Sequence, residues 1–179
     1  MTLVNRLLLL SAVLGLSVGC DQATKVIAIS NLQGKPSHSY LGDIFRLTFA
    51  KNDGAFLSLG SQLPDAARFW VLTVAVGALL LGIVVFTAVS AKLNPAQVSG
   101  YAMIAGGGLS NWMDRARNSG SVDDFMNLGI GRLRTGIFNV ADLAILVGIA
   151  FLLYAGWRLE RDQKRATVAG SATSPPPPR

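Results

Sequence analysis

The chain has 179 residues, 51% of them hydrophobic and only 15% charged, with a formal net charge of +6. One domain is expected at this length, and a soluble domain of that size carries more charge, so the composition argues for the membrane and against an ordinary soluble protein. A single cysteine, Cys20, excludes an internal disulfide, and a single histidine, His38, excludes a zinc protease of the His-Glu-x-x-His kind.

The first expected span covers residues 7–29. The uncharged stretch between Arg6 and Asp21 is too short to cross a bilayer, which needs about 20 helical residues. The helix therefore has to continue past Asp21 and Lys25, which lie four apart on one face and neutralise each other. Cys20 follows a hydrophobic run, as in a lipoprotein signal, but Ser17 and Val18 fit that pattern poorly. It reads as a small helix residue. In the next segment His38 sits in a polar stretch that reads as a surface loop. Phe45, Leu47 and Phe49 then alternate with Arg46 and Thr48, the pattern of a strand with one apolar face. A small antiparallel sheet resting on the bilayer surface is expected there.

The second span, 69–91, has no charges. The third, 95–113, opens at Asn94-Pro95 and contains Gly106-Gly107-Gly108, read as packing glycines that let helices approach. Residues 116–136 are polar and Gly-rich and suggest a loop. The fourth span, 137–157, is long enough only if Asp142 lies inside the membrane. Residues 166–179, ending in a proline run, read as a disordered tail. The expected fold is mainly α, a single membrane domain over 1–165 with four transmembrane helices and a small antiparallel β-sheet segment.

Four spans put both termini on one side, with Arg6, Lys92, Arg158, Arg161, Lys164, Arg165 and Arg179. The opposite side holds more basic residues still, so a strict count does not decide the orientation. The basic cluster beside the fourth span favours cytoplasmic termini, and most of the acids gather on the other face.

A carboxylate inside a span is costly, on the order of 3 kcal/mol. Asp142 has two readings: a structural ion pair with Arg115, or a functional carboxyl at a water-accessible pocket. Asp124, in Val122-Asp123-Asp124-Phe125, can return to the mouth of the fourth span. Two carboxylates sharing one proton can activate water and protonate a scissile carbonyl without metal or cofactor. Spacing alone does not choose the pair. Asn111 and Arg115 share a helix face, Asn139 precedes Asp142 by three, and Asn52 follows the strand; together they suggest a polar ring able to bind an extended peptide. A proton-coupled carrier and a lipoprotein modified at Cys20 are the alternative readings. Nucleic-acid binding has no support.

Five ordered segments carry a resemblance: Asp21-Gln22-Ala23-Thr24-Lys25, Asn52-Asp53-Gly54, Gly106 to Arg115 with its Asn-x-x-Asp-Arg ending, Val122-Asp123-Asp124-Phe125, and Phe138-Asn139-Val140-Ala141-Asp142. On these motifs the chain resembles the bacterial lipoprotein signal peptidases, the type II signal peptidases. The resemblance implies an aspartic endopeptidase that removes the signal peptide of diacylglyceryl-prolipoproteins just before the lipidated cysteine. It implies Asp124 and Asp142 as the catalytic pair, and Asn52, Asn111, Arg115 and Asn139 as substrate contacts. Asp21, Lys25, Gly54 and Asp114 take supporting positions. No cofactor or metal is expected, and the enzyme is expected as a monomer among membrane phospholipids. Its place would be the bacterial cytoplasmic (inner) membrane, multi-pass, with the active site and sheet extracytoplasmic and both termini cytoplasmic. Three departures stand out. Ser110 replaces a usual glycine, Asp123 an apolar residue, and Gly54-Ala55-Phe56-Leu57 continues the asparagine motif differently. Asp123 is expected to add a third carboxylate beside the pair.

Overall fold

The computed structural model describes residues 1–54 and 64–172. Helix α1 (Leu3–Leu32) starts where the Thr2 hydroxyl accepts a hydrogen bond from the Asn5 amide. It stops at Gln33, followed by Gly34 in the left-handed region at φ 72°. Strands β1 (His38–Tyr40) and β2 (Phe45–Asn52) form a hairpin. Its turn is pinned by Asp43, whose carboxylate accepts from Ser39 and pairs with Arg46. His38 is exposed on the edge strand.

A short helix α2 (Asp65–Arg68) leads into a π-helical segment, Phe69–Ala75, and then α3 (Val76–Val89). Arg6, only 4% exposed, reaches across from α1 to the end of α3. Its Nε donates to the Ala88 carbonyl at 2.9 Å and its Nη1 to the Ser90 carbonyl at 2.8 Å. It thereby partners carbonyls that a helix end leaves open. Helix α4 (Pro95–Arg117) begins with a reciprocal cap between Asn94 and Gln97. Strands β3 (Val122–Ile130) and β4 (Leu133–Arg134) follow, then α5 (Val140–Ala172).

The sheet is antiparallel throughout, in the order β1-β2-β3-β4. Half of it therefore comes from the segment expected to be a loop. No apolar alternation announces β3, because Asp123, Asp124 and Asn127 are buried on it beside Val122 and Phe125. The β2–β3 register pairs Ala50 with Asp124 and Asn52 with Val122, after a shift between Leu47 and Ala50. The sheet packs on the ends of α1 and α5 through Phe125, Ala28 and Leu32, joined by Leu47, Phe49 and Val140.

Among the described residues three helical segments are long and apolar enough to cross a membrane: Leu3–Leu32, Phe69–Val89 and Val140–Arg165. Their outward residues, such as Leu8, Leu16, Leu79, Leu81 and Leu153, are exposed, as lipid-facing side chains are. The chain is thus a multi-pass membrane protein, but with three such helices where the sequence reading expects four. Helix α4, with 23 residues, has the length and lacks the apolarity, since Gln97, Ser110, Asn111 and Asp114 lie along it. It is the inner helix, and its Gly106-Gly107-Gly108 run explains why. A Cβ on Gly106 would meet Leu14 and Ser17 of α1, one on Gly107 would meet Ala141 of α5, and one on Gly108 would meet Leu80 of α3. Successive residues turn about 100° around a helix, so three glycines admit three neighbours. The remaining boundaries also move. Helix α5 begins at Val140, leaving 137–139 outside it, and continues to Ala172 through part of the expected tail. Residues 173–179 of that tail lie outside the described residues.

Candidate active site

The site forms where α1, α4, β2, β3 and the start of α5 converge. Asp124 comes from β3 and is 1% exposed; Asp142 comes from the first turn of α5 and is 7% exposed. Asn139 joins them. Its Nδ2 donates to Asp124 Oδ1 at 2.6 Å, and its backbone N–H donates to Asp142 Oδ2 at 3.2 Å. The Asp142 amide returns a bond to Asn139 Oδ1 at 3.0 Å, so Asn139 caps α5. Asn52 Nδ2 donates to Asp124 Oδ2 at 2.8 Å, and Asn111 Nδ2 donates to Asp142 Oδ1 at 3.0 Å.

All four carboxylate oxygens thus receive one neutral N–H donor. Among the described residues a second lone pair on each has no partner and can take water or a proton. Burial among neutral partners disfavours charge. It pushes Asp124 up to about 7, against the pull of the Asn52 and Asn139 donors and with help from the neighbouring Asp142. Such a value suits a group that holds and releases a proton near neutrality.

Arg115 does not pair with Asp142 among the described residues. Its Nη2 donates to the Gly54 carbonyl at 2.5 Å, fixing the chain where it leaves β2. A cavity of about 330 Å³ extends from Asn111, Arg115 and Asp142 along Leu72, Val76, Ile145 and Ile149. It is polar at the carboxylate end and apolar down the helices.

Behind Asn111 lies a buried charged cluster. Lys25 Nζ sits 2.6 Å from both Asp21 Oδ2 and Asp114 Oδ2 and donates to Asn111 Oδ1 at 2.9 Å. Asp21 Oδ1 accepts the Ala141 amide at 2.7 Å, and Ser110 Oγ donates to Asp21 Oδ2 at 2.7 Å. Among the described residues no group of three or more His, Cys, Asp or Glu could hold a metal.

The residues singled out from the sequence therefore meet in one place: Asp124, Asp142, Asn52, Asn111 and Asn139 directly, and Asp21, Lys25 and Asp114 behind them. Asp123 is the exception. Neighbouring strand residues face opposite ways. Its carboxylate accepts from Asn118 Nδ2 at 2.9 Å and lies 3.5 Å from Lys51 Nζ, away from the pair it was expected to join. Sequence reasoning missed the structural use of Ser110 and Gln22. Gln22 Nε2 donates to Ser110 Oγ at 2.9 Å and to Asp114 Oδ1 at 2.8 Å. Ser110, read only as a departure from glycine, is a hydrogen-bonding member of the cluster.

Residues 13–158 match the family described as Signal peptidase (SPase) II. A lipoprotein signal peptidase of Chlorobium luteolum is 34% identical over 162 residues, covering 86% of this chain and 93% of the relative. One from a Cyanothece species is 34% identical over 165 residues, covering 90% of each. Among solved structures, a bacterial membrane enzyme superposes with a TM-score of 0.69 at 24% identity, covering 95% of this chain and 94% of that one. A second reaches 0.66 at 23% identity, covering 82% and 90%; at these identities the two establish the fold. The family match and the 34% identical relatives, covered over nine-tenths of their length, lead to one conclusion: the chain belongs to the signal peptidase II family of membrane proteases.

Proposed function

We propose that the chain is an aspartic endopeptidase that removes the signal peptide of diacylglyceryl-modified prolipoproteins, cleaving before the lipidated cysteine, with Asp124 and Asp142 as its catalytic pair. The observation that carries this reading is Asn139, which hydrogen-bonds both carboxylates and so holds them around one space. A water there loses its proton to the ionised carboxyl and attacks the scissile carbonyl. The protonated carboxyl donates to the carbonyl oxygen. Collapse of the tetrahedral intermediate passes a proton to the departing cysteine amine and restores the shared-proton state. Asn52, Asn111 and Asn139 hold the carboxylates and the peptide, and Arg115 holds the chain after β2 against it. The substrate's acyl chains lie along the apolar end of the cavity, where each buried CH₂ contributes about 0.8 kcal/mol with little sequence preference.

In this reading α4 is the fourth span, sheltered by α1, α3 and α5. Arg158, Arg161, Lys164 and Arg165 at the far end of α5 support cytoplasmic termini. The sheet and the pair then face the outer side of the cytoplasmic membrane, and the enzyme works as a monomer among phospholipids. Asp124→Asn and Asp142→Asn test the pair. Each should lower cleavage of a purified diacylglyceryl-modified precursor by roughly 10³-fold while thermal unfolding stays near wild type. Near-wild-type turnover in either variant removes that residue from the reaction.

A further inference from the structure

We propose that Lys25 is a positioning residue for Asp142: it ties down the oxygen of the Asn111 amide and so commits the NH₂ end to the carboxylate. The proposal rests on the reading of Asp142 as a reacting group. A primary amide has two ends of nearly the same shape, one accepting and one donating, so its orientation is set only by its partners. Each of the three amides around the pair has its oxygen engaged. Asn52 Oδ1 accepts from the Gly54 N–H at 3.0 Å, and Asn139 Oδ1 from the Asp142 N–H at 3.0 Å. These two are held by backbone. Among the described residues Asn111 Oδ1 is held by side chains alone: Lys25 Nζ at 2.9 Å and Asn139 Nδ2 at 3.0 Å.

Lys25 is the charged partner among these donors. An ammonium has three N–H donors and no acceptor. Here three acceptors face it: Asp21 Oδ2, Asp114 Oδ2 and Asn111 Oδ1. A flipped Asn111 would set its NH₂ against the ammonium and the Asn139 NH₂ and its oxygen against the Asp142 carboxylate, three repulsions in place of three bonds. Lys25 thus acts on Asp142 through one intervening amide, from a helix that contributes neither carboxylate of the pair.

The test separates this from simple charge balance. Lys25→Met leaves Asp21 and Asp114 buried without their cation, which by itself destabilises the fold. Lys25→Met with Asp114→Asn returns the cluster to its wild-type net charge but does not restore the donor to Asn111. Cleavage of a diacylglyceryl-modified precursor peptide in mixed micelles gives kcat and KM, and thermal unfolding gives stability; Asp142→Asn is assayed alongside. The double variant should unfold close to wild type, keep KM within about threefold and lose roughly 10- to 100-fold in kcat. Recovery of stability and turnover together, or a kcat loss that only tracks the loss of folded protein, makes Lys25 a counter-ion and overturns the proposal. An active Asp142→Asn variant defeats the catalytic-pair reading instead. Inactive Asp142→Asn with a fully active double variant defeats the Lys25 proposal alone.

Discussion

Gly107 lies where α4 meets the first turn of α5, and Gly107→Ala offers a sharp test of how tightly that turn is placed. The added Cβ would stand 2.4 Å from the Ala141 carbonyl oxygen and 2.9 Å from Ile145 Cγ1. An ordinary carbon–oxygen approach is about 3.3 Å, so α5 has to retreat by about 1 Å. The atom struck belongs to backbone next to Asp142, so no side-chain rotation relieves it. The same retreat stretches the 2.7 Å bond from Ala141 N to Asp21 and the 3.0 Å bond from Asn111 to Asp142. Overpacking of this kind costs about 1–3 kcal/mol. A 1 Å misplacement of a reacting group can cost about 100-fold in rate. Precursor cleavage should accordingly drop by about two orders of magnitude in kcat, with a smaller change in thermal stability. Gly82→Ala is the control, because a Cβ there meets nothing within 4 Å. It should cleave normally and gain slightly in helix stability. A Gly107→Ala enzyme within about threefold of wild-type kcat would refute the idea that the α4–α5 contact sets the geometry of the pair.

The raised Asp124 carboxyl predicts a pH dependence. The folded state keeps this proton up to about 7, whereas the free carboxyl loses it near 3.8. Stability from this group is therefore present at low pH and lost as pH rises between those values. Cleavage should fall about tenfold per pH unit above about 7, as the shared proton is lost. A flat profile from neutral to mildly alkaline pH contradicts it. Asn52→Ala removes a donor that pulls Asp124 down, so it should move this limb to higher pH; an unmoved limb counts against the assigned hydrogen bond. Arg6→Leu strips the Ala88 and Ser90 carbonyls of their partner and should cost roughly 2 kcal/mol in unfolding experiments while kcat is unchanged.

Much of the site was legible because its parts are expensive in the places they occupy. Asp142 stands out since the last span is too short without it, and Asp21 with Lys25 stand out for the same reason on the first. The chain could not reveal by periodicity that Val122–Ile130 is a strand. Its interior face carries the buried Asp124 carboxylate, so the apolar alternation that marks a half-buried strand is missing. Choosing Asp124 over Asp123 needed either the motif resemblance or the strand's alternation of faces, which the loop reading had hidden. The apolarity of α4 was overestimated because Gly and Ala count as apolar residues. Here they serve close helix contact, and the polar side chains between them are satisfied by neighbours that a linear reading does not bring near.

A helix bearing Gln97, Ser110, Asn111 and Asp114 is a poor candidate to enter a bilayer unaided during synthesis. Its partners are distributed in time: Gln22 and Lys25 on α1 are made first, and α5 last. If α4 spans, it enters paired with α3 through the short 90–94 turn, already facing a completed α1. The Asp124–Asp142 pair then assembles only when α5 arrives, so on the proposed function the site is incomplete until that helix joins α1 and α4.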